Sequence, residues 1–177
     1  MAGYVTLIVC GAPLTERAPD VIRALQAAGR EVVVVATPAA HPWLDHDLVR
    51  ELTGSAPQSD FRDPSQPKRE GDTEGVVLCP GTFNTINQAA AGAANTYALA
   101  QLCSAIGEGL PVIAVPFVNN KLWGHPAWKR SLTVLEDAGV KLVDVHTGKP
   151  GAAPVQSGTG PEAVARFDPA WVADLLG

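Results

Sequence analysis

Four short stretches of the sequence hold residue types suited to binding a small molecule. They are Gly11-Ala12-Pro13-Leu14-Thr15, Thr37-Pro38-Ala39-Ala40-His41-Pro42-Trp43, Pro80-Gly81-Thr82-Phe83-Asn84-Thr85 and Pro116-Phe117-Val118-Asn119-Asn120-Lys121-Leu122-Trp123. Glycine and small hydroxyl residues leave backbone N–H groups open to an anion such as phosphate, whereas Trp43, Phe83 and Trp123 offer flat apolar surface to a ring system. A phosphorylated aromatic cofactor meets both demands. Taken singly, each stretch reads as turn and cap chemistry, so the inference rests on their occurring together. The chain has neither a GxGxxG dinucleotide fingerprint nor a GxxxxGK[ST] phosphate loop, which argues against NAD and ATP.

These stretches share a position in the pattern of elements. Apolar runs of strand length alternate with helix-period segments, the mark of an α/β fold with a parallel sheet. Strands are expected over residues 4–10, 31–36, 75–79, 110–115 and 140–145. Val21, Ile22, Leu25 and Ala28 lie on one helical face that stops at Gly29, and Leu44, Leu48 and Leu52 predict a short helix within 43–53 that stops at Gly54. Residues 85–105 read as helix interrupted near 92–95. A helix starting at Pro126 carries Trp128, Leu132 and Leu135 and ends at Gly139, and a last short helix opens at Asp168-Pro169. Each candidate stretch then follows a strand, and in a doubly wound parallel sheet all four converge on the carboxyl edge where ligands bind. The expected architecture is a Rossmann-like α/β/α sandwich forming a single domain over 1–177.

Two segments break the pattern. Residues 55–74 hold Pro57, Pro64, Pro67 and Gly71 among charges, with Phe61 the one large apolar side chain, and residues 146–161 are rich in Gly and Pro. Both are expected to be flexible loops, and the first is long enough to serve as a lid or substrate-facing segment. Lys68-Arg69 reads as an exposed charge pair. His125, before Pro126, and His146, after a strand, read as structural or solvated.

Composition narrows the function. Thirteen Lys and Arg against eighteen Asp and Glu give a net charge of −5, so no basic footprint invites nucleic acid or an anionic membrane. The apolar runs fall short of the ~20 residues of a spanning helix, and Met1-Ala2-Gly3-Tyr4 lacks the basic start of a signal peptide. A soluble, cytoplasmic protein is expected. Cys10, Cys79 and Cys103 are odd in number and set in apolar surroundings, which suits reduced thiols and argues for no metal.

The third and fourth stretches resemble the homo-oligomeric flavin-containing cysteine decarboxylase superfamily, whose members include phosphopantothenoylcysteine decarboxylase and the lanthipeptide peptidyl-cysteine decarboxylases. The family pattern Pro-Ala-Ser/Thr-Ala-Asn-Thr is matched by Pro80-Gly81-Thr82-Phe83-Asn84-Thr85, and Pro-x-Met-Asn-x-x-Met-Trp by residues 116–123. The similarity runs from the first strand to about Val145. It implies FMN bound without covalent attachment, with the phosphate on the Gly11 loop, Thr37 and Thr82 near Pro80, and the ring system near Asn84, Thr85, Trp43 and Trp123. It also implies a trimer or dodecamer with the flavin at a subunit boundary. The reaction implied is oxidation of a cysteine-derived thiol, from a small molecule or a peptide C-terminus, to a thioaldehyde that then loses CO2. Asn119 matches the family residue that holds the substrate.

Gln66 stands where the family has its catalytic histidine. A neutral amide cannot accept a proton at pH 7, and loss of a general base costs on the order of 10²–10⁴ in rate. His41 and His46 are the candidates to substitute, across a subunit boundary or within the chain. Val118 and Leu122 replace two methionines with apolar side chains, while Phe83 adds bulk beside the expected ring. Residues 155–160 resemble the Gly-containing segment that covers substrate in the superfamily. Two other readings stay open: a catalytically silent flavin-binding subunit paired with an active paralogue, favoured by the missing histidine, and a flavin prenyltransferase-like enzyme.

Overall fold

The β-branched runs form a sheet buried on both faces, which is why they read as near-continuous apolar stretches. In the computed structural model, which describes residues 3–67 and 69–176, the strands are β1 (Tyr4–Val9), β2 (Glu31–Ala36), β3 (Thr73–Gly81), β4 (Val112–Pro116) and β5 (Lys141–Leu142). Met1, Ala2, Lys68 and Gly177 lie outside the described residues, and with them the readings of the first residues and of Lys68 in the charge pair. The strands are all parallel, in the order β2-β1-β3-β4-β5. Alternate side chains enter separate cores, Val5, Leu7 and Val9 on one face and Ile8 with Val76 and Leu78 on the other.

Helices cover both faces and complete three layers. They are α1 (Ala18–Ala27), α2 (His46–Thr53), α3 (Phe83–Ala90), α4 (Tyr97–Glu108), the single turn α5 (Asn120–Trp123), α6 (Pro126–Asp137), α7 (Gly160–Arg166) and α8 (Ala170–Ala173). Residues of α1, α2, α7 and α8 fill the first core, and those of α3, α4 and α6 the second. The chain winds outward from β1 to β2, then returns to place β3 on the other side of β1. That reversal opens a crevice beyond the carboxyl ends of β1 and β3.

Several elements differ from the sequence expectation. Pro19 sits in the first turn of α1, where its missing N–H costs nothing, and the chain before it runs as a 3-10 turn over Pro13–Arg17. A second 3-10 turn, Pro38–Trp43, precedes α2, whose start is capped by Asp45 through Leu48 N at 3.0 Å. β3 extends through Pro80 and Gly81, whose carbonyls accept Cys10 N and Phe117 N. β5 is short because the chain turns at Asp144, which accepts Gly148 N through its carbonyl, and folds back so that Val143 pairs with Pro150. Part of the expected loop at 146–161 is α7, which begins at Gly160.

Candidate functional site

All four strand-exit stretches meet around one cavity of about 660 Å³, within the roughly 300–1,000 Å³ typical of small-molecule sites. Gly11 and Thr37 line it from the exits of β1 and β2. These two exits are in backbone contact: a Cβ on Gly11 would lie 2.3 Å from the carbonyl oxygen of Ala39, so only glycine lets them close together. Thr15 fixes the first exit by donating its hydroxyl to Cys10 O while accepting Ala12 N.

The third exit supplies donors. Thr82 precedes α3 without a side-chain cap, so the first N–H groups of α3 have no partner within the helix, and Phe83, Asn84 and Thr85 all line the cavity. Thr85 Oγ1 accepts from Thr82 Oγ1 at 3.3 Å and from the Cys10 thiol at 3.3 Å, which leaves its own proton to donate elsewhere. Burial pushes the Cys10 and Cys79 thiols well above the ordinary range, the Thr85 contact opposing this at Cys10. Both thiols stay protonated at neutral pH, Cys79 in the first core and Cys10 in the second.

The fourth exit carries Asn119. Its carboxamide oxygen accepts Lys121 N and Leu122 N, each at 3.0 Å, and so caps α5. With the oxygen committed, the amide's NH2 is the group left for a ligand. Val155 pairs with this exit as a parallel bridge, and residues 155–158 form the remaining wall. Gln88, Thr96 and Leu99 also line the cavity. Gln88 was detectable as Asn84 plus one helical turn; Thr96 and Leu99 required knowing how α4 crosses the sheet.

None of the described residues lining this cavity has an ionisable side chain. Its recognition groups are hydroxyls, carboxamides and backbone N–H groups, beside the rings of Trp43 and of Phe83, the latter stacked on Trp128 at 5.5 Å. Such a wall accommodates a phosphorylated ring compound, with hydrogen bonds rather than cations on the anion.

The other residues singled out in the sequence lie elsewhere. Pro80 serves the sheet through its carbonyl. Trp123 packs against Trp128, ring centroids 5.3 Å apart, and does not line the cavity. His41 stands behind the wall, its Nε2 bonded to Ser59 Oγ and its ring stacked on His46 at 4.9 Å. His125 caps α6 by accepting Ala127 N, and His146 Nε2 meets Pro154 O at 3.1 Å.

Gln66 lines a second cavity of about 840 Å³, walled by α4 and the 55–74 segment and floored by Thr6, Val33 and Val35. No described residue of 55–74 reaches the first cavity, so the segment expected as a lid over the ligand faces different space. Its Gln58 instead pairs with the edge of β2, exchanging bonds with Val34 O and Ala36 N. Among the described residues, no three His, Cys, Asp or Glu side chains gather as a metal site, and no helix is long and apolar enough to cross a membrane.

Comparison with known proteins bears on this geometry. The profile of the family described as Flavoprotein matches residues 3–162. The coenzyme A biosynthesis bifunctional protein CoaBC of Mycobacterium tuberculosis is 29% identical over 161 residues, covering 88% of this chain and 37% of its own length. The chain thus spans well under half the length of that relative. Among solved structures, the FMN-dependent cysteine decarboxylase SpaF superimposes with a TM-score of 0.70 at 23% identity, covering 93% of this chain and 94% of its own. The cypemycin decarboxylase CypD gives 0.67 at 19% identity, covering 98% and 96%.

Proposed function

Because the chain belongs to the Flavoprotein family, we propose that its strand-exit cavity holds FMN without covalent attachment and that the protein is an oxidative decarboxylase of a cysteine-derived thiol-carboxylate. The observation that carries this reading is the convergence of both sequence motifs on one cavity with hydroxyl and N–H donors beside aromatic faces. Thr37, Thr82 and the open N–H groups of α3 are the phosphate cradle, and Trp43 and Phe83 flank the ring system. When bound, FMN supplies the two-electron acceptor that makes loss of CO2 from such a thiol-carboxylate accessible. Asn119 directs its NH2 donors to the substrate carboxylate, since its oxygen is held by α5. Gln88 and Asn84 add neutral carboxamides, so position rather than charge orients the substrate.

No described wall residue can take the proton that thiol oxidation releases, and Gln66 borders another cavity. In this reading the proton passes to the reduced cofactor, to water or to a residue of a second subunit in a homo-oligomer. The same observation favours a second reading, a catalytically silent flavin-binding subunit that works beside an active paralogue. A prenyltransferase-like role gains no support, because the described residues of the wall offer no basic side chain for a prenyl phosphate.

The test is an absorption spectrum of the purified protein followed by anaerobic addition of a cysteine-terminated peptide. A flavin spectrum that bleaches with release of CO2 is the expected result. Bound flavin that no thiol-carboxylate bleaches supports the silent subunit, and a protein unable to take up FMN overturns the cofactor reading.

A further inference from the structure

Residues 156–159 form a turn that stands over the cavity. Gln156 O accepts both Thr159 N and Thr159 Oγ1 at 3.0 Å, and Gly158 adopts φ +91°, a left-handed conformation that suits glycine. On its N-terminal side the turn is anchored by buried Val155, whose N–H donates to Val118 O at 2.9 Å and whose carbonyl accepts Asn120 N at 3.0 Å. On its C-terminal side it passes into α7. Between these anchors the turn meets the cavity's fourth exit through one side chain: Asn120 Oδ1 accepts Ser157 N and Ser157 Oγ, both at 2.9 Å.

Asn119 and Asn120 therefore do different work with the same group. The first uses its carboxamide oxygen to cap α5 and keeps its NH2 for the cavity. The second does not line the cavity, and its oxygen holds down the turn whose Gln156 and Ser157 do. Ser157 and Gly158 are exposed, and no apolar side chain of the turn enters either core. A segment with few buried contacts and one polar attachment opens at low free-energy cost.

We propose that Asn120 is a positioning residue of this site: its carboxamide oxygen latches the 156–159 turn against the exit of β4, and release of that latch opens the cavity to cofactor and substrate. The proposal deepens the cofactor reading above by assigning control of access to one side chain. Its first readout, exchange at a backbone amide, is independent of what the cavity binds.

The test is amide hydrogen exchange across residues 153–161 in the protein without added ligand, comparing wild type, Asn120→Ala and Asn120→Asp. Asn120→Ala removes the acceptor, and exchange at Ser157 rises roughly tenfold, the effect of losing two ordinary hydrogen bonds. Asn120→Asp keeps an acceptor oxygen and restores protection. Exchange at Ile8 and Leu78, deep in the sheet, is unchanged in both variants. With FMN loaded, Asn120→Ala accelerates its release by about three- to tenfold and Asn120→Asp does not. Ser157→Ala approaches the latch from the other side by deleting the hydroxyl bond alone, and gives a smaller rise of about threefold in release. Unchanged exchange at Ser157 in Asn120→Ala, or an Asp variant that behaves like Ala, overturns the latch. Failure of every variant to bind FMN while exchange follows the expected order overturns the cofactor reading and leaves the latch standing.

Discussion

The two cavities of this protein are similar in size and opposite in origin. The first lies where four strand exits are forced together by parallel strands and by the winding reversal between β1 and β3, and the described residues of its wall carry no ionisable side chain. The second exists because α4 leaves part of the β1 and β2 face bare, and a segment with one large apolar residue, Phe61, spans the gap. That segment brings Arg62, Arg69, Asp60 and Asp72 to the cavity edge, with Arg69 Nη2 bonded to Ser55 and its guanidinium 5.8 Å above the Tyr4 ring. Topology determines the first space, whereas the composition of a single segment determines the second. Gln66, expected from the family resemblance to stand in the place of a base, belongs to the second.

Substitutions can break this contrast most sharply at the contact between the first two exits. Gly11→Val drives a side chain into Ala39 O and should lower flavin affinity roughly 10- to 100-fold, as overpacking of a close contact does, read by titration of flavin fluorescence. Asn84→Trp fills the first cavity from α3 and should weaken flavin binding about tenfold while leaving the thermal midpoint within a few degrees of wild type, since Asn84 is exposed. Full retention of yellow colour in that variant would sink the placement of the ring.

A pH series tests the buried thiols at the carboxyl ends of β1 and β3. Cys10 and Cys79 have thiol pKa values raised mainly by burial, so the folded protein holds their protons more tightly than the unfolded chain does. Their contribution to stability is complete below the unfolded thiol range and is lost as pH rises above about 8.5. The urea midpoint should therefore fall between neutral and alkaline pH, and Cys79→Ala should flatten that slope. The smallest effect is expected in the second cavity: Gln66→Ala should change flavin affinity and thiol-dependent bleaching by less than about twofold, as exposed positions do. A large loss there would join the two cavities functionally and erase the contrast.

The sheet was legible in the sequence because β-branched runs must be buried on both faces, and β2 runs over the residues read as strand. The ends were harder. Pro80 and Gly81 read as the start of a loop, yet a strand can end on residues that contribute carbonyls alone, as these do to Cys10 and Phe117. The convergence of strand exits was legible from the parallel topology, and both motifs line the resulting cavity. What spacing could not supply was direction. Trp123 follows Asn119 by one helical turn and was expected beside the ring, but α5 is a single turn and Trp123 packs on Trp128 instead. The partition of Gln66 from Asn119 also escaped the sequence, because which face a polar segment crosses depends on which face the helices leave uncovered.

The family profile stops at residue 162, within α7, but the packed interior does not. Phe167 and Val172 are buried against α1 and the sheet, and the Trp171 ring meets Phe167 edge-on at 5.7 Å. Each of the two buried side chains is worth about 1.5–3 kcal/mol of apolar burial. A recombinant fragment trimmed to the profile's boundary would keep every residue of both motifs and still lose one wall of its interior. Expression limits for this protein should follow the packing of its last helix, and a trimmed fragment that fails to turn yellow would report on folding before it reported on chemistry.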